Sequence, residues 1–372
     1  MWLRRMPWML LTVALVLIAI GWHGISRSAE LGGASERLVR QQIVWSVLAV
    51  GAMLAVAIPN YRRLCRHSYL EFVITLAALV LVYFFPAVNG ANRWIRLGPV
   101  GFQPSEFAKL AFVLALARYL MYRENYRRMR GLLMPLGIAM VPILLILREP
   151  DLGTACVFLP VLFAMLLVAG ARWRDLAVVA AAGLACLPVL WTQMSGEQRS
   201  RVTALVHQNA PEEKPAEQAY HLHRAKQMIA LGGMWGSRVS GPAVDQRGAY
   251  HVPEPATDSI FVVLVERWGQ LGAAVLLALF LILAWRGLVV AEQTSEPFGR
   301  LAAAGIVALF AVEVVINTGM MVGLLPITGL SLPLVSYGGS GLLAHALAVG
   351  LLLNVGLHPG YEVAKEPFRF RE

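Results

Sequence analysis

Cysteine is scarce in this chain, and so is charge. Its three cysteines, Cys65, Cys156 and Cys186, lie in separate segments, the first in a short basic loop and the others within apolar runs. That excludes a disulfide framework and any cysteine metal-ligand spacing. Charged residues fill only 15% of 372 positions, against 58% hydrophobic residues and a mean hydropathy of +0.63. This excludes a soluble globular domain and indicates a polytopic membrane protein. Carboxylates are the scarcer sign, 22 against 32 Lys and Arg, for a net charge of +10. The excess cations gather in short loops between apolar runs and carry no RNA- or DNA-binding motif, so no nucleic acid partner is expected. A cleavable leader is not expected either. Met1-Trp2-Leu3-Arg4-Arg5 runs into an apolar stretch to Ile20 without a small-residue cleavage site, which reads as a retained first helix.

What is abundant is apolar length. At about 20 residues per crossing, spans are predicted at 8–25, 40–58, 69–86, 105–121, 132–147, 154–171, 176–194, 259–285, 301–325 and 341–357, ten in all. The expectation is one all-α membrane domain over 1–372 in the cytoplasmic membrane, with a large extracytoplasmic loop, 195–258, between helices 7 and 8. With both termini cytoplasmic, the inside loops hold Arg62, Arg63 and Arg66, then Arg123, Arg127, Arg128 and Arg130, then Arg172, Arg174, Arg286 and Arg300, and the tail adds Lys365, Arg369 and Arg371. Loops 87–104, 148–153, 195–258 and 326–340 then share the outer face. Every unusual motif falls on that face.

The central motif is Tyr250 to Gly269, where a polar loop gives way to an apolar helix. Glu254 and Asp258 stand where a water-facing loop dips toward the membrane, a place from which a carboxylate reaches both a lipid-linked substrate and solvent. In Asn89 to Lys109, Pro104 and Ser105 read as a turn and cap that put Glu106 in the first turn of a helix, with Lys109 on the same face. These two either pair with one another or line a site. Arg93 and Arg96 flank Trp94, and Arg96 reads as a bilayer-interface anchor. In Arg148-Glu149-Pro150-Asp151-Leu152-Gly153-Thr154, Asp151 either caps the next helix or faces a ligand, and Arg148 ends an apolar helix where a cation needs a partner or an anionic ligand.

Within the long loop, Gln208 to Glu217 reads as a flexible polar stretch and Ala219 to Leu231 as an amphipathic surface helix. His221 and His223, two apart, do not share a helix face, so no metal pair is expected. Gly232, Gly233, Gly236 and Gly241 match neither phosphate-loop pattern. Glu313 and Asn317, four apart in an apolar run, are expected to face the bundle interior, while His345 has no obvious partner and reads as a core histidine. Leu325 to Gly341, interrupted by Pro and Gly and including Ser336, reads as a cavity wall.

Taken together and in this order, these motifs resemble the SEDS family (shape, elongation, division and sporulation), its RodA members somewhat more than its FtsW members. The matching stretches are Asn89 to Lys109, Pro150 to Thr154, Pro253-Glu254 with Thr257-Asp258, and Pro326 to Ser340. The resemblance implies a ten-helix peptidoglycan glycosyltransferase, involved in cell-wall synthesis and cell shape, that polymerises lipid II into β-1,4 glycan with a class B penicillin-binding protein transpeptidase as partner. It maps the catalytic carboxylate onto Asp258 and substrate-binding positions onto Arg93, Glu106, Lys109 and Glu254; Arg148, Asp151 and Ser336 join them as candidates from their own motifs. Three departures stand out: Ala256 where the family has His, Ser259 where it has Phe, and Gly341 where a serine is common. Because the transfer inverts the anomeric carbon, one base suffices, with cations on the leaving diphosphate. A divalent ion, Mg or Mn, is a candidate to share that task, although no dedicated ligand set is visible. A lipid II flippase and an inactive scaffold for a transpeptidase are the alternative readings.

Overall fold

The computed structural model describes residues 6–359 except 33–34, 87–91, 98–99, 124, 187, 189–190, 193, 195, 207–216 and 243–249. The Asn89 to Ala91 start of the first motif, the polar stretch after Gln208 and the basic tail with Lys365 lie outside the described residues. Helices follow the apolar runs: α1 (Trp8–Glu30), α2 (Glu36–Ala57), α3 (Arg62–Leu81), α4 (Pro104–Tyr122), α5 (Leu133–Arg148), α6 (Leu152–Ala169), α7 (Trp173–Ala185), α8 (Gly196–Val206), α9 (Glu217–Gly232), α10 (Ser237–Ser240), α11 (Ile260–Gln293), α12 (Pro297–Val322) and α13 (Gly339–Leu357). A short antiparallel pair, β1 (Ile95–Leu97) with β2 (Val100–Phe102), precedes α4.

Among the described residues, eight helices are long and apolar enough to cross a membrane. Of the ten runs expected to span, α4 and α7 fall short of that measure. The first carries Glu106, Lys109 and Arg118, and the second has 13 residues before the partly undescribed stretch that follows. Helix ends overshoot the apolar runs, as at Glu30, Glu36 and Arg62, because apolar length reports bilayer thickness and not where hydrogen bonding stops. Ser35 caps α2 by accepting the Arg37 N–H at 3.2 Å, several residues before the apolar run begins.

The bundle has an inside and a rim. Helix α4 is buried along nearly its whole length, from Pro104 to Leu120, and α12 and α13 are buried over most of theirs. Such all-round burial is why α4 lacks an apolar stripe. By contrast, Val44, Val47 and Leu48 of α2 and Leu70, Val73 and Ile74 of α3 point outward, as lipid-facing side chains do. Helix α13 packs so closely on α2 that a Cβ at Gly350 would meet the Met53 carbonyl oxygen at 2.5 Å. Asn354 of α13 is fully buried, and its amide serves the turn between α2 and α3. It donates to the Val56 carbonyl at 2.6 Å and to that of Pro59, and accepts the Tyr61 N–H at 3.1 Å.

Helix α11 is broken at Gly269, whose φ of 71° suits glycine. The turn after α9 inserts there: the Gln270 N–H donates to the Gly233 carbonyl at 2.9 Å, and a Cβ on Gly269 would stand 2.2 Å from the Met234 oxygen. Close by, Arg27 of α1 forms a two-pronged ion pair with Glu266 of α11, at 2.9 and 3.1 Å, and reaches Ser237 of α10 at 3.3 Å. Glu266 has no exposed surface. Removing its cation strands a buried charge, at a cost of roughly 3–5 kcal/mol. Arg27→Ala is therefore expected to lower the thermal unfolding midpoint of the detergent-solubilised protein markedly, and Arg27→Met with Glu266→Leu to restore most of it.

Candidate active site

Asp258 ends the turn that leads into α11, and the residues around it are held from four directions. Within the turn, the Ser259 N–H donates to the Glu254 carbonyl at 3.1 Å, with Glu254 at φ 47°, and the Ser259 hydroxyl donates to Pro253 O at 2.8 Å. From α12, Asn317 Nδ2 donates to the Asp258 carbonyl at 2.9 Å and to Leu330 O at 2.7 Å. From the segment before α13, the Ser336 hydroxyl donates to Thr257 O at 2.6 Å and the Tyr337 N–H to Ala256 O at 2.8 Å. From α9, His221 Nε2 lies 2.9 Å from the Ser259 hydroxyl. The backbone at 256–259 is thus fixed.

The Asp258 carboxylate itself is half-buried and receives no hydrogen bond among the described residues; it lies against Gly329, where a Cβ would stand 3.2 Å from Oδ2. Loss of solvent raises its pKa to about 7, helped by the Glu254 and Asp151 carboxylates and opposed by Arg201 and Arg93. Glu254 is exposed and accepts the Thr257 hydroxyl at 3.1 Å. Asp151 caps α6, accepting from Thr154 N at 3.1 Å and Thr154 Oγ1 at 2.9 Å. Arg93 donates through Nε to the Glu149 carbonyl at 3.0 Å and through Nη2 to that of Pro150, which leaves Nη1 outside both bonds. Arg201 of α8 donates to Thr328 O at 3.2 Å.

Asp258, Glu254, Asp151 and Arg93 therefore come together. Two further groups, not singled out from the sequence, join them. Arg201 sits in a helix whose composition gives no sign of a site. Glu149 is wholly buried with both carboxylate oxygens unpartnered, and desolvation, then Asp151, pushes its pKa up to about 8 against the pull of Arg93. Its place beside Pro150 in the turn was the available signal. Arg148, by contrast, is exposed at the end of α5. Ser336 uses its hydroxyl inside the protein, donating to Thr257 and accepting the Leu332 N–H at 2.8 Å, so it positions the loop. Arg96 is exposed on β1.

Glu106 and Lys109 belong to a second, buried cluster one turn of α12 away. Lys109 Nζ stands 2.9 Å from Glu106 Oε1 and is also bonded to Glu313, whose other oxygen lies 2.7 Å from His345 Nε2. His345 is thus not a partnerless core histidine, because Glu313 on a neighbouring helix reaches it. Ligand atoms of Glu106, Glu313 and His345 lie within 4.8 Å of one another, the one such grouping among the described residues. The Lys109 ammonium bridges its two carboxylates and supplies the positive charge, so these residues do not fit a divalent cation as they stand.

A many-helix membrane bundle with a desolvated, unbonded carboxylate among arginines, in a loop at one end, has the build of a membrane-embedded transferase. The comparisons agree with it. A profile of the FtsW, RodA and SpoVE cell cycle proteins matches residues 2–359, and the chain belongs to that family. The peptidoglycan glycosyltransferase MrdB of Escherichia coli K12 is 35% identical over 355 residues, 95% of this chain and 93% of that protein. Stage V sporulation protein E of Bacillus subtilis 168 is 33% identical over 367 residues, 95% and 97% of the two chains. A solved structure described as a peptidoglycan synthase complex that coordinates polymerisation and crosslinking superposes with a TM-score of 0.81 at 31% identity, over 94% of this chain and 97% of that one.

Two outcomes follow from this geometry. Glu106 Oε2 is buried without a partner, and a Cβ at Gly341 would lie 3.4 Å from it. Gly341→Ser brings a hydroxyl donor to that oxygen and is expected to raise the unfolding midpoint by the equivalent of about 1 kcal/mol. The pKa of Asp258 is raised on folding from 3.8 to about 7, so its contribution to stability is present below about pH 4 and is lost as pH rises through 7. Asp258→Asn is accordingly expected to be more stable than the parent at pH 8, with the advantage vanishing by pH 4 in parallel thermal melts.

Proposed function

We propose that this chain polymerises lipid II into β-1,4 glycan strands with Asp258 as the general base. One observation carries the proposal. A carboxylate without a hydrogen bond, its pKa lifted to about 7, is available as a base near neutral pH, and Arg93 and Arg201 stand near it as cations. In the proposed step the acceptor 4-hydroxyl gives its proton to an Asp258 oxygen as that hydroxyl oxygen bonds the anomeric carbon of the donor. The bond from that carbon to the diphosphate breaks, and the diphosphate leaves with the electron pair. Inversion gives the β-linkage from an α-linked donor in one displacement, with no covalent intermediate.

The cations that meet the developing charge are Arg93, through Nη1, and Arg201. Lys109, bracketed by Glu106 and Glu313, is committed to these carboxylates and is assigned no direct phosphate contact. Both termini are placed in the cytoplasm, with the Asp258 loop outside, on the support of the arginine-rich short loops. A crosslinking transpeptidase is the proposed partner, supported by the peptidoglycan synthase complex to which the chain is structurally similar.

The reconstituted protein, given lipid II alone and then with a cognate transpeptidase, is expected to form glycan chains. Asp258→Asn should lower the rate about 10²- to 10⁴-fold with near-normal expression and a melting midpoint no lower than the parent's. The parent rate should climb with pH through about 7 and then level. Undiminished polymerisation by Asp258→Asn would overturn the base assignment. Transport of lipid II without polymer would favour a flippase, and neither activity a scaffold.

A further inference from the structure

Glu149 is the buried carboxyl that the proposed step leaves unused. It directly follows α5, has no exposed surface, and neither of its carboxylate oxygens has a hydrogen-bond partner among the described residues. The turn that carries it is pressed against the Asp258 end of the bundle. A Cβ at Gly153 would meet the Thr328 oxygen at 2.8 Å, and Gly329, the residue after Thr328, lies against the Asp258 carboxylate. A charge buried without a partner is so costly that a carboxyl in this setting keeps its proton instead. Desolvation, then the Asp151 carboxylate, accordingly push the Glu149 pKa up to about 8, against the pull of Arg93.

The polar groups around Glu149 are engaged elsewhere. Asp151, two residues on, spends both carboxylate oxygens on Thr154, at 3.1 and 2.9 Å. Tyr83, just after α3, donates its hydroxyl to the Leu145 carbonyl, and Arg148 is exposed at the end of α5. Arg93, on the segment before β1, is the cation whose charge reaches Glu149. It is anchored on two sides. Its neighbour Asn92 donates through Nδ2 to the Phe85 carbonyl at 2.8 Å, and its own guanidinium donates to the Glu149 carbonyl at 3.0 Å and to that of Pro150. Arg93 therefore lies on the backbone of the turn and is not bonded to the carboxyl beside it. Both of its acceptors are neutral, so they aim the guanidinium without cancelling its charge.

We propose that Glu149 is a positioning residue, a neutral acid whose backbone holds Arg93 in place while its carboxyl leaves the guanidinium charge uncompensated for the diphosphate of the lipid-linked donor. This rests on the reaction assigned to Asp258. An ionised Glu149 would give the guanidinium a carboxylate counter-ion in the turn it lies on, and less charge to offer an anionic substrate. Donor binding should therefore weaken as pH rises through about 8, so that KM for lipid II climbs there while kcat stays level.

The test is fluorescence anisotropy of dansyl-labelled lipid II on the full chain in detergent at pH 7 and pH 9. Asp258→Asn serves as the background, which silences the other raised carboxyl and prevents polymerisation. That background is expected to bind about tenfold more weakly at pH 9 than at pH 7. Adding Glu149→Gln, which keeps the shape and cannot ionise, should bring the ratio close to one. Adding Arg93→Gln should weaken binding at pH 7 and remove most of the ratio, because Glu149 then loses the cation that favours its ionised form. In thermal melts Glu149→Gln should exceed its background at pH 9, with the gain vanishing by pH 4, because the pKa of Glu149 is raised on folding from 4.5 to about 8. An equal ratio with and without Glu149→Gln, a ratio that survives Arg93→Gln, or a midpoint at pH 9 not raised by Glu149→Gln would overturn the proposal and leave the lipid II reading intact. No binding of lipid II by Asp258→Asn at either pH would overturn that reading, and the proposal with it.

Discussion

A chain that leaves the helix inside an apolar bundle needs protein partners for its backbone groups, because neither lipid nor water supplies them there. Residues 323–338, between α12 and α13, are such a segment, irregular yet largely buried. Asn317 takes the Leu330 carbonyl, the Ser336 hydroxyl takes the Leu332 N–H, and Gln42 takes the Ser336 carbonyl and the Gly338 N–H. The same asparagine and serine also hold the carbonyls of Asp258 and Thr257. Satisfying one buried loop thereby fixes the other. The rigidity of the Asp258 turn is a by-product of a requirement imposed by burial.

Charge follows a matching division. Away from the Asp258 turn the buried ions are paired: Lys109 with Glu106 and Glu313, and Arg27 with Glu266. Around the turn itself two carboxylates are left short of partners, with Asp258 unbonded and Glu149 carrying two bare oxygens. Pairing a buried charge limits its desolvation cost; leaving one unpaired raises its pKa into the range where proton transfer near neutrality is efficient. The paired cluster makes a frame and the unpaired one makes a site.

The departures from the family pattern find local explanations. Ser259, where the family has Phe, is wholly buried and joins His221 on α9 to the Pro253 carbonyl, so it ties the long loop to the start of α11. Ala256 is buried, and its carbonyl, not its side chain, makes the contact to Tyr337. Gly341 faces Glu106 and leaves one oxygen bare.

Apolar run length and the interrupted motifs were enough to read an all-α membrane bundle, the inward face of Glu313 and Asn317 and, as one of two readings, the capping by Asp151, because these depend on periodicity and on contacts a few residues apart. The meeting of Asp258 with Asp151 and Arg93 was suggested by motif order alone, whereas Arg201 entered only with the fold, since it bonds Thr328, 127 residues away, and the burial of Glu149 was decided by the packing around its turn. His345 shows the same limit, for its partner Glu313 is 32 residues distant. The sequence by itself determined which segments are apolar and long enough to build a membrane bundle and which residue types lie between them. Only the tertiary structure decided which charges are neutralised and which are left bare, because that depends on which helices pack side by side.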